Sequence, residues 1–215
     1  MPKLDLGTSL TYGEGEALQV QGLWIRSGFP DLHRNSAKEL HGQVNPQCPW
    51  RATYDFVSRK LGDQGSLFLF TGQRGTGKTQ MAACLGRLYA LHLTYARYIR
   101  AADLYMLIKS TFNGEGDEGQ IIQNLSGHGH AGEDNPRLLV IDELHDRGGS
   151  DWEDRILNQI VDSRYGARLD TILITNDRGG ELVSKIGPSI VSRADETGGI
   201  IEFPWDSFRR PENAA

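Results

Sequence analysis

Gly72-Gln73-Arg74-Gly75-Thr76-Gly77-Lys78-Thr79 is the stretch from which the fold can be read. It satisfies Gly-x-x-x-x-Gly-Lys-Ser/Thr at every position. Glycines in such a loop let the backbone curl until successive N–H groups face one point. Those groups, with the N-terminus of the next helix, solvate phosphate oxygens. Lys78 is placed to reach the terminal phosphates of a bound nucleotide, and the Thr79 hydroxyl to ligate Mg2+. All eight residues from Gly72 to Thr79 are therefore nucleotide-binding candidates. The flanks agree with this reading. Ser66 to Phe70 is a continuous apolar run of strand length, and apolar periodicity predicts a helix from Lys78 to about Leu91. A loop after the first strand of an α/β unit lies at the carboxyl edge of the sheet, where ligands bind.

Working outward, Tyr95–Ile99, Leu138–Ile141, Thr171–Ile174 and Gly199–Phe203 read as four further strands. Between them, Ala101–Phe112 has a helical apolar face. Ser150-x-x-Glu153 is a capping box that opens another helix, and Pro188 marks a third helix start. Upstream, Trp50–Leu61 has helical spacing. Apolar strands alternating with helices predict a five-stranded parallel sheet covered on both faces.

Asp142 and Glu143 end the third strand. An acid at a buried strand tip can hold Mg2+ through water, so Asp142 is the metal candidate together with Thr79. A second acid beside it can orient and deprotonate an attacking water, which makes Glu143 the general-base candidate and favours ATP hydrolysis over phosphate transfer. Asn176 follows the fourth strand, where its amide can contact the γ-phosphate or polarise that water. Arg193 is read just after the helix opened by Pro188, and Arg209 lies near the end of the sequence. An arginine supplied by a neighbouring molecule stabilises charge in phosphoryl transfer.

Composition narrows the alternatives. The 215 residues carry a formal net charge of −5, which excludes a basic field over the whole surface. Only two cysteines are present, Cys48 and Cys84, without metal-ligand spacing. No apolar run is long enough to span a membrane, the N-terminus lacks a signal-peptide core, and the expected location is the cytoplasm. Residues 113–136 are rich in glycine and acid and contain no Lys or Arg. They read as a flexible acidic insertion around the apolar island Ile121-Ile122-Leu125. His128 and His130 within it read as loop residues with no third metal ligand nearby.

With these stations in order, the chain resembles an AAA+ ATPase, and more narrowly the helicase-loader branch: DnaC-type loaders and IstB-type transposition helpers. The resemblance runs from Arg26 to Arg209. It rests on Arg26-Ser27-Gly28-Phe29-Pro30, Gly72–Thr79, Val140-Ile141-Asp142-Glu143, Thr175-Asn176 and the closing Ile201-Glu202-Phe203-Pro204-Trp205-Asp206-Ser207-Phe208-Arg209. It implies that Asp142 and Glu143 form the Walker B pair and that Asn176 is a sensor. It also implies that Arg193 is an arginine finger acting on the adjoining subunit and that Arg209 is a second sensing arginine. A homo-oligomeric ring or spiral, little or no C-terminal helical lid, single-stranded DNA along the inner face and a replicative helicase as partner are implied too. The implied activity is Mg-dependent ATP hydrolysis in DNA replication. The helix at 101–112 and the insertion after it fall where loaders and initiators carry a DNA-facing element, although Lys109 is the only base between Arg100 and Arg137.

The expected organisation is a flexible arm over 1–22, the ATPase domain over 23–210 and a tail over 211–215. So short an arm is too small to fold alone. The alternative reading is a transposition or defence helper whose DNA-bound filaments recruit a partner such as a recombinase. A small-molecule kinase and a nucleotide-binding scaffold without turnover are the remaining classes.

Overall fold

All five apolar runs form parallel strands of one sheet in the computed structural model, which describes residues 12–37, 49–62, 65–113, 116–129 and 135–209. The strands are β1 (Leu67–Gly72), β2 (Ala96–Arg100), β3 (Leu138–Asp142), β4 (Asp170–Ile174) and β5 (Gly199–Phe203). Their spatial order is β2-β3-β4-β1-β5. β1 thus lies between β4 and β5, its neighbours in space but not in sequence. The register sets Phe70 opposite Ile174 and Gly72 opposite Phe203. It also sets Arg100 opposite Asp142. The segments that leave β1, β3, β4 and β5 therefore emerge together at one edge.

Each strand is apolar throughout because both faces are covered. The two-residue period sends Phe68, Phe70, Tyr98, Val140, Ile172 and Ile174 to one core. Leu67, Leu69, Ile99, Leu139, Ile141 and Leu173 go to the other. The first core is closed by α1 (Glu14–Arg26), α3 (Pro49–Lys60) and α4 (Lys78–Leu91), with α2 (Asp31–Ser36) packed on the outside of α4. The second is closed by α5 (Ala101–Ser110), α6 (Glu118–Leu125), α7 (Asp151–Gly166), α8 (Gly179–Ile186) and α9 (Pro188–Thr197).

Several expectations need correction. The arm gives way to helix from Glu14 onward: Trp24 is buried in the first core, and the Glu16 carboxylate accepts from the Gly13 N–H at 3.1 Å to cap the helix start. Gly13, Gly15 and the polar spacing had masked this amphipathic stretch. Residues 1–11 and Cys48 lie outside the described residues, as do His130 and residues 131–134 of the acidic insertion. Within that insertion, residues 118–125 are helical. Asp117 caps α6 by accepting from the Gly119 and Gln120 N–H groups, and Ile122 and Leu125 are buried. Burial of the apolar island stabilises a helix that its composition conceals. Arg193 lies within α9, not after it. No helix follows β5 among the described residues.

Arg164 on α7 is fully buried and ties this region to the sheet. It donates to the carbonyls of Leu125 (2.7 Å), Pro136 (3.0 Å), Arg137 (3.2 Å) and Asp170 (2.7 Å), and to Thr171 Oγ1 at 2.9 Å. One side chain thus satisfies buried acceptors at the end of α6, the start of β3 and the start of β4. Arg164→Met keeps the length but removes every donor. It is expected to lower unfolding free energy by at least about 3 kcal/mol, because several carbonyls lose their partners at once. Urea unfolding monitored by circular dichroism measures this, and a loss below about 1 kcal/mol would contradict the assignment.

Candidate functional site

The glycine loop joins β1 to α4 as the sequence predicts. Gly75 has φ 82° and Gly77 φ 85°, left-handed values that disfavour any residue with a Cβ. A Cβ on Gly75 would also stand 2.0 Å from Ser207 Oγ. The loop's carbonyls are held from behind. Those of Gly72 and Gln73 accept from Lys78 Nζ, each at 2.7 Å. Gly75 accepts from the Phe208 N–H at 2.9 Å. Thr76 accepts from the Trp205 indole at 2.9 Å, and Gly77 from the Trp50 indole at 3.2 Å. With these acceptors engaged, the polar edge left for a ligand is the N–H edge, which suits an anion.

Lys78 is buried, and its third hydrogen bond goes to Asn176 Oδ1 at 2.9 Å. Burial lowers its pKa to about 8. Arg178, Arg209 and Arg74 push in the same direction, while Asp142 opposes them. A site that penalises its own ammonium in this way is relieved by incoming negative charge. Arg209 lies over Gly75, and its N–H donates to Ser207 Oγ at 3.1 Å. Burial of the β5–β1 pair thus delivers the closing Trp205–Arg209 segment onto the phosphate loop.

Thr79 Oγ1 donates to Asp142 Oδ2 at 2.7 Å, so a hydroxyl from α4 and a carboxylate from β3 converge at one point. This is a hard oxygen pair of the kind that suits Mg2+. The other Asp142 oxygen accepts the Glu143 N–H at 2.7 Å. Glu143 itself has φ 57°, which turns the chain sharply out of β3 into the 3-10 turn Leu144–Asp146. Among the described residues, no group of three or more His, Cys, Asp or Glu side chains could hold a metal.

Two contributors escape the sequence reading. Tyr98 on β2 donates its hydroxyl to Asp142 Oδ2 at 3.1 Å, and burial followed by the Asp142 charge raises its pKa strongly. Its ring packs 5.0 Å from Phe29, and its N–H donates to the Ser27 carbonyl at 2.7 Å. The Ser27-Gly28-Phe29 stretch therefore supports the acid pair through Tyr98. The second is His145, 2.7 Å from Asn176 Nδ2. Neither belongs to a motif; only strand order and a turn bring them to the site.

Lys78, Thr79, Asp142 and Asn176 are thus brought together, with Arg74 and Arg209 at the rim. Arg193 is not brought to this site. It pairs with Asp162 of α7 at 3.0 Å, lies 5.5 Å over the Tyr165 ring and donates to the Ser189 carbonyl at 3.0 Å.

A five-stranded parallel sheet bearing a phosphate loop, an acid pair and a polar sensor at one edge defines a P-loop nucleotide-binding protein of the AAA+ class. No family model matches the chain. The replicative helicase loader DnaC of Escherichia coli K12 is 32% identical over 203 residues, covering 91% of this chain and 78% of that protein. The chain belongs to the DnaC family of replicative helicase loaders. Among solved structures, the DnaC helicase loader matches with TM-score 0.63 at 21% identity, covering 80% of this chain and 99% of that one. A replication initiator DnaA bound to AMPPCP and single-stranded DNA shares the fold with TM-score 0.58 at 19% identity, covering 76% of this chain and 52% of that one. Among the described residues, no helix is long and apolar enough to cross a membrane.

Proposed function

We propose that this protein binds ATP with Mg2+ on the 72–79 loop and hydrolyses it while assembled as a homo-oligomer on single-stranded DNA. In this reading it acts on a replicative helicase during DNA replication in the cytoplasm. The observation that carries the reading is the convergence of Lys78 on Asn176 and of Thr79 on Asp142, which joins three separate motifs in one site. Thr79 and Asp142 would hold Mg2+, which supplies charge neutralisation for the phosphates. The loop N–H groups and Lys78 bind the triphosphate. Glu143 accepts the proton of the attacking water, Asn176 orients the terminal phosphate, and Arg209 senses it from the rim. Arg193 serves the adjoining subunit. Single-stranded DNA as a ligand is supported by the DnaA neighbour, whose complex holds it together with a nucleotide analogue.

The test is phosphate release with and without single-stranded DNA, together with retention of a replicative helicase from the native host in ATP. DNA-stimulated hydrolysis and ATP-dependent helicase retention are expected. A protein inert in both assays at concentrations where it assembles would refute the reading. The recruitment-filament alternative has no observation of its own in its favour.

A further inference from the structure

His145 stands where three parts of the site meet, and the function proposed above gives it no role. Its Nε2 lies 2.7 Å from Asn176 Nδ2 and 3.4 Å from an Arg74 guanidinium nitrogen. The ring is mostly buried, with 14% of the side chain exposed, and its Nδ1 is buried with no hydrogen-bond partner.

Lys78 settles which way the Asn176 amide faces. An ammonium has only donors, so the atom 2.9 Å from Nζ is the amide oxygen. Nδ2 therefore faces His145 and needs an acceptor there. Arg74, also purely a donor, requires the same of Nε2. With Nε2 accepting, the ring N–H falls on Nδ1, the buried atom without a partner. Asp146 Oδ1, 3.2 Å from Nε2, is the competing acceptor and lies farther away than the Asn176 donor at 2.7 Å. A buried donor left unsatisfied calls for an explanation, and the adjoining sensor amide supplies one.

We infer that His145 is a positioning residue for the nucleotide sensor. Its Nε2 takes one N–H of Asn176 Nδ2 and thereby aims the second N–H at the terminal phosphate position beside Lys78. The last torsion of an asparagine is broad, so an amide anchored only at its oxygen swings away from the phosphate. The inference rests on the reading of Asn176 as a phosphate sensor, but not on hydrolysis.

Two measurements test it. In nucleotide-free protein, nitrogen-15 NMR of the imidazole is expected to show the Nδ1–H tautomer at neutral pH. A ring protonated on Nε2 overturns the proposal, whatever any variant does. In calorimetric titrations, His145→Phe is expected to lose about 3–10-fold of the preference for AMPPCP over ADP, the loss of one oriented hydrogen bond, while ADP affinity stays unchanged. His145→Gln, whose side-chain oxygen restores an acceptor, should regain that preference to within about twofold. Equal losses for both nucleotides in His145→Phe, or failure of a folded His145→Gln to recover, overturns it. Wild-type protein that binds neither nucleotide would instead overturn the proposed function, and the tautomer would still be readable.

Discussion

Glu143→Gln is expected to cut ATP turnover by about 10²–10⁴-fold while nucleotide affinity stays within about threefold of wild type. The two effects separate because they depend on different atoms. In the proposed function, binding rests on the loop backbone, on Lys78 and on the Thr79–Asp142 pair, which the Glu143→Gln substitution leaves in place. The Glu143 N–H to Asp142 Oδ1 bond belongs to the backbone and also survives. What disappears is a carboxylate able to take a proton from water, since an amide of the same shape cannot do so. Single-turnover hydrolysis beside equilibrium binding of ATP reads both quantities. Turnover within tenfold of wild type would move the base role to another group.

Arg193→Ala carries the second large effect, a loss of about 10³–10⁵ in turnover with ATP binding nearly unchanged. The reason lies in where the side chain sits. It is held by Asp162, Ser189 and the Tyr165 ring, all on α7 and α9, and none of them is part of its own phosphate site. An arginine so placed can serve catalysis only across a subunit boundary. Mixing Arg193→Ala with Lys78→Ala separates the possibilities. The first variant keeps an intact phosphate loop, the second an intact arginine, and assemblies containing both should recover activity at shared boundaries. Demonstrably mixed assemblies that stay silent would remove Arg193 from the reaction.

How much of this was legible beforehand depended on how local the signal was. The phosphate loop is a contiguous pattern, and its strand and helix carry their own periodicity, so α4 was found at Lys78–Leu91. Gly199–Phe203 was found as a strand, and the Ser150 capping box opens α7 as read. α8 was missed, because Gly179 and Gly180 stand at its start and hide the buried pair Leu182 and Ile186. The positions of Tyr98 and His145 could not be read at all. A tyrosine in a strand and a histidine in a turn look ordinary until β2 is placed beside β3 and the turn after β3 beside Asn176. The closing segment is the clearest case. It was recognised as a resemblance, but its seat on the loop follows from β5 pairing with β1, two strands far apart in sequence.

That seat has a kinetic consequence. Phe208 N–H and the Trp205 indole hold the Gly75 and Thr76 carbonyls from the rear, so the chain's own contacts set the shape of the loop. A ligand then meets a preorganised receptor and spends little entropy in ordering it. Capture should proceed at a rate set by diffusion and charge, without a slow isomerisation step, and the lifetime of the bound state would govern how quickly one nucleotide replaces another.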